Sequence, residues 1–344
     1  MSDPVPLSQA LPNLPPVSDS KRPVRASWIV KAIIEFVIST SIAGVILAGV
    51  LLFVSVTTNV FWSPGNLKNV MTQATVLAPT AIGMTFLFGL RKLDLSIGAI
   101  GALSGFVFFS VVSQQGSSPI FAILASLVTG SICGLVNGAI AGCSTARTIG
   151  LSIVVTWLSG TAYRTLTLLL TNGHQMLSSM TDQVDAVASV LFSIGPYLIV
   201  ILVLLGQLGS LLASRVPTST DVKREAAGFW LNWLLTLLMF CVSGLLAAVS
   251  GVAMACRLRS LSPLQGTGIE LEILSAILIG GSSLLRGRSN PVGTLLGVMA
   301  VVILADAFNL LNITVYAQNI AFLVLVALCF LIDGCRYTIS KRLS

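Results

Sequence analysis

The chain has 344 residues, 55% hydrophobic and 9% charged, with a mean hydropathy of +0.96. Soluble domains carry about 25% charged residues, so the composition excludes one, and continuous apolar runs exclude the alternating strands of a membrane β-barrel. The net charge is +7, with 19 Lys and Arg against 12 Asp and Glu. These basic residues stand singly or in small groups between apolar runs, which points to membrane topology and away from nucleic acid.

Residues 1–27 are polar and carry Pro4, Pro6, Pro12, Pro15, Pro16 and Pro23. Such a stretch is expected to be a disordered cytoplasmic tail. The apolar run that follows is too long for a cleaved leader. Residues 28–344 then read as a single transmembrane domain, an all-α polytopic membrane protein in contact with the bilayer. Ten segments are expected, at 33–57, 68–89, 94–113, 119–142, 149–170, 188–213, 229–254, 270–285, 291–311 and 316–334. Breakers separate them, among them Ser63-Pro64-Gly65, Asn172-Gly173, Pro217 and Asn290-Pro291. A span needs about 20 apolar residues, so the segment at 270–285, which ends near Gly280-Gly281, is expected to be short or broken.

Charge tests this topology. With the N-terminus inside and strict alternation, the cytoplasmic side collects Lys21, Arg22, Arg25, Lys31, Arg91, Lys92, Arg147, Arg215, Lys223, Arg224, Arg286, Arg288, Arg336, Lys341 and Arg342. The far side collects only Lys68, Arg257 and Arg259, and Arg164 falls inside a span. That bias is the positive-inside rule, and adding or losing one span scrambles it. Both termini are therefore expected in the cytoplasm.

Chemistry finds little purchase. The six cysteines form no CxxC pair, and the only histidine is His174. No metal ligand set or positioned nucleophile stands out. No GxxxxGK[ST] phosphate loop is present, so any ATP that drives the protein is expected on a separate chain. The protein is read as a non-enzyme without a cofactor of its own.

Polar residues inside apolar segments are the remaining candidates. Asp94 and Ser96, in Leu93-Asp94-Leu95-Ser96-Ile97-Gly98, read either as a cap for the third helix or as a polar turn facing a path. Asn137, between Gly134 and Gly138, is able to bond across helices. Thr267 and Glu270 lie in Gly266-Thr267-Gly268-Ile269-Glu270-Leu271-Glu272. Its glycines permit a tight bend, and its acids suit a helix N-terminus. Asp306 and Asn309 lie one turn apart in the ninth segment. An ion pair between Arg164 and Asp306 is conceivable, as is an Arg164 that snorkels to an interface. Asp94, Ser96, Asn137, Thr267, Glu270 and Asn309 are the candidates for a translocation path. The hairpin around Arg91-Lys92 also resembles the one around Arg286, and a repeat built on these two would be parallel.

Several motifs resemble the permease family of bacterial sugar ABC importers, of the ribose, xylose and autoinducer-2 type. Residues 266–297, GTGIELEILSAILIGGSSLLRGRSNPVGTLLG, follow that family's pattern GTGxELxxIAAVxIGGxSLxGGxGxxxGTxxG without a gap. Residues 93–98 resemble its IDLSVG, and Gly134-Leu135-Val136-Asn137-Gly138, Leu170-Thr171-Asn172-Gly173 and Phe308-Asn309-Leu310-Leu311 follow in order. The likeness covers about residues 68–335. It implies a permease subunit in a bacterial inner membrane, forming the path for a monosaccharide or related small polar solute. Implied partners are ABC ATPase subunits, an extracytoplasmic sugar-binding protein and a second permease copy or paralogue. The likeness also implies a cytoplasmic element that seats on the ATPase, and Arg224, Glu225, Ala226 and Ala227 are the candidates. Here the chain departs from the family: of GGNxxAAxxSGI only Ala226-Ala227 is retained, and Arg286 stands where a glycine is usual. A stand-alone secondary carrier and a non-transporting membrane scaffold are the other classes that the composition allows.

The topology has a direct test. A cysteine at Ser179 is expected to react with an impermeant thiol reagent from outside, and one at Ser289 only from inside. Reaction of both from one side would rule out ten alternating spans.

Overall fold

The computed structural model describes residues 25–113, 118–143, 149–177, 181–213 and 222–342. Most of the expected tail (1–24) and the loop 214–221 lie outside these residues. By internal contacts the chain divides into residues 1–37 and residues 38–344. Of the first unit only the beginning of a helix is described; all packing below belongs to the second.

Among the described residues ten helices follow in order: α1 (Arg25–Thr57), α2 (Pro64–Gly89), α3 (Ile97–Val112), α4 (Pro119–Gly142), α5 (Ile149–Leu170), α6 (Thr181–Ala213), α7 (Val222–Leu258), α8 (Ile269–Ile279), α9 (Pro291–Leu310) and α10 (Val315–Arg342). The ends of α2 and α9 follow from local chemistry. Ser63 Oγ accepts the Asn66 N–H at 3.3 Å, Asn290 Oδ1 accepts the Gly293 N–H at 3.1 Å, and in both helices a proline fills the first position, where no donor is needed. Among the described residues, eight helices are long and apolar enough to cross a membrane. The exceptions are α3, with 16 residues, and α8, with 11. At 1.5 Å per residue α8 covers about 16 Å, half of a hydrocarbon core about 30 Å thick.

The short eighth segment is thus shorter than expected. It ends at Ile279 instead of reaching 285, because Gly280 and Gly281 turn the chain and Ser283 pairs with Arg288 across a tight loop. The third segment is also broken, which the sequence reading missed. It starts at Ile97, with Ser96 at the N-cap position, and not at Asp94, since residues 92–95 lie outside any helix. The helix α1 begins at Arg25, within the expected tail, and α7 begins at Val222 and takes in residues 224–227.

The core lies on α2, α7 and α9. In α2, 78% of the apolar span is buried, against 17% in α5 and 11% in α10. One close crossing joins α4 and α7. A Cβ added at Gly134 would stand 3.0 Å from the Cys241 Cα and nearer still to the Phe240 carbonyl. Backbones approach this closely only where the side chain is a hydrogen, the means by which membrane helices gain packing without a hydrophobic drive. Outside the helices, β1 (Met176–Leu177) pairs antiparallel with β2 (Ser260–Leu261), with Met176 opposite Leu261. This joins the α5–α6 connection to the α7–α8 connection.

A correspondence other than the expected parallel repeat emerges. Before both short helices the preceding long helix ends at a Leu-Arg-x-Leu, and in each the arginine is left-handed: Arg91 at φ 56° and Arg259 at φ 50°. The pair α2–α3 therefore resembles α7–α8. With strict alternation the two pairs cross in opposite directions, so this likeness is inverted.

The α4–α7 contact predicts that Gly134→Leu overpacks the crossing and costs about 1–3 kcal/mol. A lower thermal midpoint in detergent is expected. Gly49→Leu is the control, since nothing lies within 4 Å of a Cβ there, and its midpoint should stay unchanged.

Candidate functional site

The two broken helices meet. Gly98, in the first turn of α3, lies against Gly266 and Glu270, and the place of its missing Cβ is taken by the Gly266 carbonyl and Glu270 Oε1. Each short helix is reached by irregular backbone, whose polar groups need partners inside a low-dielectric medium. For residues 90–96 those partners come from α5. Ser152 Oγ accepts the Leu93 N–H at 3.2 Å and Thr156 Oγ1 accepts the Leu95 N–H at 3.0 Å. One turn further along α5, Gly160 gives Ser96 room: a Cβ added there would stand 3.1 Å from the Ser96 Cα.

Asp94 does not cap α3 in the expected way. Its Oδ1 accepts both the Ser96 N–H (2.9 Å) and the Ser96 hydroxyl (2.6 Å), while Ser96, at the N-cap position, makes no side-chain cap bond of its own. Asn137 Nδ2 donates to Ser96 Oγ at 2.7 Å, and the Tyr163 hydroxyl lies 3.2 Å from both Asn137 Oδ1 and the Cys133 carbonyl. Asp94, Ser96 and Asn137 are fully buried. Among the described residues, Asp94 Oδ2 has no protein hydrogen-bond partner.

The second irregular stretch is held by Arg164. Its Nη1 donates to Thr267 Oγ1 at 2.7 Å and to the Gln265 carbonyl at 3.3 Å, and its Nη2 stands 3.8 Å from Glu270 Oε1. Thr267 in turn donates to the Leu264 carbonyl at 2.6 Å, and Glu270 Oε2 accepts the Gly268 N–H at 3.1 Å. Thr267 is exposed, and the Arg164 and Glu270 side chains each keep 20% of their surface. This cluster reaches the surface of the chain, with Asp94, Ser96 and Asn137 behind it.

Of the six path candidates the structure gathers five around the α3–α8 junction. Asn309 stands apart: its Oδ1 accepts from Gln318 Nε2 at 3.0 Å, and the neighbouring Asn319 borders Gly268. The conceivable pair of Arg164 with Asp306 does not form. Asp306 instead accepts from Asn66 (2.7 Å) and Asn69 (3.2 Å) on α2, and Asn69 Oδ1 accepts from Arg257 at 3.0 Å. Arg286, in the family's glycine position, pairs with Asp333 on α10 at 3.6 Å, and Ser283 Oγ donates to the same carboxylate at 2.6 Å. Arg224, Glu225, Ala226 and Ala227 lie in the first turns of α7, while residues 214–221 of their loop are outside the described residues. The sequence reading missed Ser152, Thr156 and Tyr163. The clue to Ser152 and Thr156 was a pair of hydroxyls four residues apart on one side of an apolar helix.

Residues 66–222 and 224–330 match the family described as branched-chain amino acid transport system / permease component. The chain belongs to this permease family. The ribose import permease RbsC of Haemophilus influenzae is 29% identical over 294 residues, covering 82% of this chain and 88% of the relative. RbsC of Escherichia coli K12 is 30% identical over 287 residues, covering 80% and 87%. The L-arabinose ABC transporter permease AraH of Azospirillum brasilense is 26% identical over 304 residues, covering 86% and 88%. No solved structure matches. The permease is thus a transport component, a multi-pass protein of the inner membrane, and the family likeness drawn from residues 266–297 holds along about four-fifths of the chain.

The network behind the junction predicts a graded loss of stability in this permease. Asn137→Leu removes the amide that bonds both Ser96 Oγ and the Tyr163 hydroxyl and should cost about 1–3 kcal/mol, and Tyr163→Phe, which removes one donor, about 0.5–1.5 kcal/mol. Thermal unfolding in detergent checks the order.

Proposed function

We propose that the permease forms the translocation path of an ATP-driven importer for a monosaccharide or related small polar solute. The observation that carries this reading is the coverage of about four-fifths of both chains by relatives named as ribose and arabinose permeases. The branched-chain amino acid wording of the family description names a broader group. The curated relatives are the nearer guide to solute chemistry, since they match along this chain in particular.

ATP is bound and hydrolysed by separate ABC ATPase subunits, a reading supported by the lack of a phosphate loop in the sequence. An extracytoplasmic sugar-binding protein delivers the solute. A second permease copy or paralogue supplies the opposite wall of the path, since α5 and α10 leave most of their surface uncovered. Arg164, Thr267 and Glu270 face the path at the surface, Asn309 lies toward its outer end, and Asp94, Ser96 and Asn137 support the surface group from behind. Transport makes and breaks no covalent bond on this chain. The permease needs hydroxyl, amide and guanidinium groups that exchange hydrogen bonds with a polyhydroxylated solute, and those groups are present.

Purified permease alone is expected to show no ATP hydrolysis, and vesicles holding the cognate ATPase and binding protein are expected to take up labelled sugar. Turnover of ATP by a clean preparation, or uptake that is indifferent to the ATPase, would refute the proposal. On the cytoplasmic side Ala226 and Ala227 provide the small contact that a docking element needs. Ala226→Trp and Ala227→Trp should overpack it by about 1–3 kcal/mol. Uptake should fall while membrane insertion stays normal. Undiminished uptake by both, with this chain as the only permease, would place ATPase docking elsewhere.

A further inference from the structure

We propose that Arg164 is a latch: it holds residues 265–270 as a lid over the N-terminus of α3, and the lid is released during transport. The release half of this inference rests on the importer reading; the latch itself does not.

Three observations converge. First, Arg164 sits within the apolar helix α5, where a charged side chain is costly unless it has a task. All of its observed contacts fall on one short segment: the Gln265 carbonyl, Thr267 Oγ1 and Glu270. The 2.7 Å bond to Thr267 is the firmest of the three. At 3.8 Å the pair with Glu270 is loose and partly exposed, so it adds little hold.

Second, the segment covers something. A narrow cavity lies beneath it, lined by Ile97, Gly98, Gly101, Ser250, Gln265 and Gly266. Ile97 is 1% exposed, and the Gly266 carbonyl and Glu270 sit directly on Gly98. Lifting residues 265–270 uncovers the start of α3 and this cavity together.

Third, the segment is built to pivot. Gly266 (φ 74°) and Gly268 (φ 89°) flank Thr267, and both lie in the left-handed region open to glycine. Arg164 grips the residue between the two pivots. Upstream of them the chain is anchored by the β1–β2 pairing. The mobile part is thus confined to the few residues that Arg164 holds.

The test uses Ile97→Cys as a reporter in the full-length protein, with the exposed Cys143 and Cys335 replaced by Ser. An impermeant maleimide is added to right-side-out vesicles. Labelling should be slow in this background. It should be about ten- to a hundredfold faster with Arg164→Gln, as expected for losing a charge-assisted hold on a local opening. Thr267→Val should fall between the two, and Arg164→Lys, which keeps one donor toward Thr267, should restore slow labelling in part. Unchanged labelling in both Arg164→Gln and Thr267→Val overturns the latch. If Arg164→Gln fails to insert, Arg164→Met, which carries no polar group into the apolar helix, decides in its place, because Thr267→Val also removes the bond to the Leu264 carbonyl. These measurements need no ATPase or binding protein, so faster labelling upholds the latch even if the importer reading fails. For release, the same reporter is followed in vesicles that take up sugar. Labelling should rise about tenfold when ATP and loaded binding protein are both present. Measured uptake with no rise overturns release while the importer reading stands.

Discussion

Backbone that is neither helix nor strand cannot rest in hydrocarbon unless something replaces the water it has lost. Among the described residues two irregular stretches, 90–96 and 262–268, lead into the short helices, and the contacts of α5 are arranged around satisfying them. One helix serves both. Along α5, Ser152 and Thr156 accept from the first stretch, and Arg164 donates to the second. Remove α5 and both short helices lose the partners that permit them to be short. The peripheral position of α5, with little of its surface buried, therefore understates its role.

Two kinds of contact divide the structure. The α4–α7 crossing is made by backbone against backbone at Gly130, Gly134 and Gly244. A contact of that kind has no rotamer to exchange and no hydrogen bond to trade, so it is stiff. The α5 contacts with the irregular stretches are hydrogen bonds between hydroxyl, guanidinium and backbone groups, which a polar solute or water is able to replace one at a time. Stiff contacts thus join α4 to α7 and exchangeable ones join α5 to the irregular stretches, a division that suits a part which must move against a frame.

Much of this was legible in the residues. Ten apolar segments and their breakers led to ten helices, because hydropathy and proline act locally. The gap-free likeness over 266–297 led to the right family. Asp94, Ser96, Asn137, Thr267 and Glu270 stood out because a polar group in an apolar run is costly wherever it finally points. What was not legible was pairing. Arg164 and Thr267 are separated by 103 residues, and nothing local distinguishes Glu270 from Asp306 as the partner of Arg164. The break at 90–96 was hidden for a related reason. Leu93, Leu95 and Ile97 keep the stretch apolar, and the groups that release it from helix, Ser152 and Thr156, belong to another segment. The repeat was sought between hairpins of like charge, whereas the correspondence in the fold rests on two left-handed arginines, a backbone property that composition does not reveal.

The spacing of the α5 contacts carries one more consequence. Ser152, Thr156 and Gly160 meet the first stretch at successive intervals of four residues, and Arg164 continues the same interval to meet the second. The four form a single inclined row on one helical surface. A row of this kind behaves as the teeth of a key. Inserting one residue anywhere between Ser152 and Arg164 turns every tooth beyond it by about 100°, moving some or all of the row away from its partners at once. Bonds that are exchangeable one at a time are then lost together. Descendants of this chain are therefore free to vary the outward residues of α5, but its length between those positions is held by the backbone of two other segments.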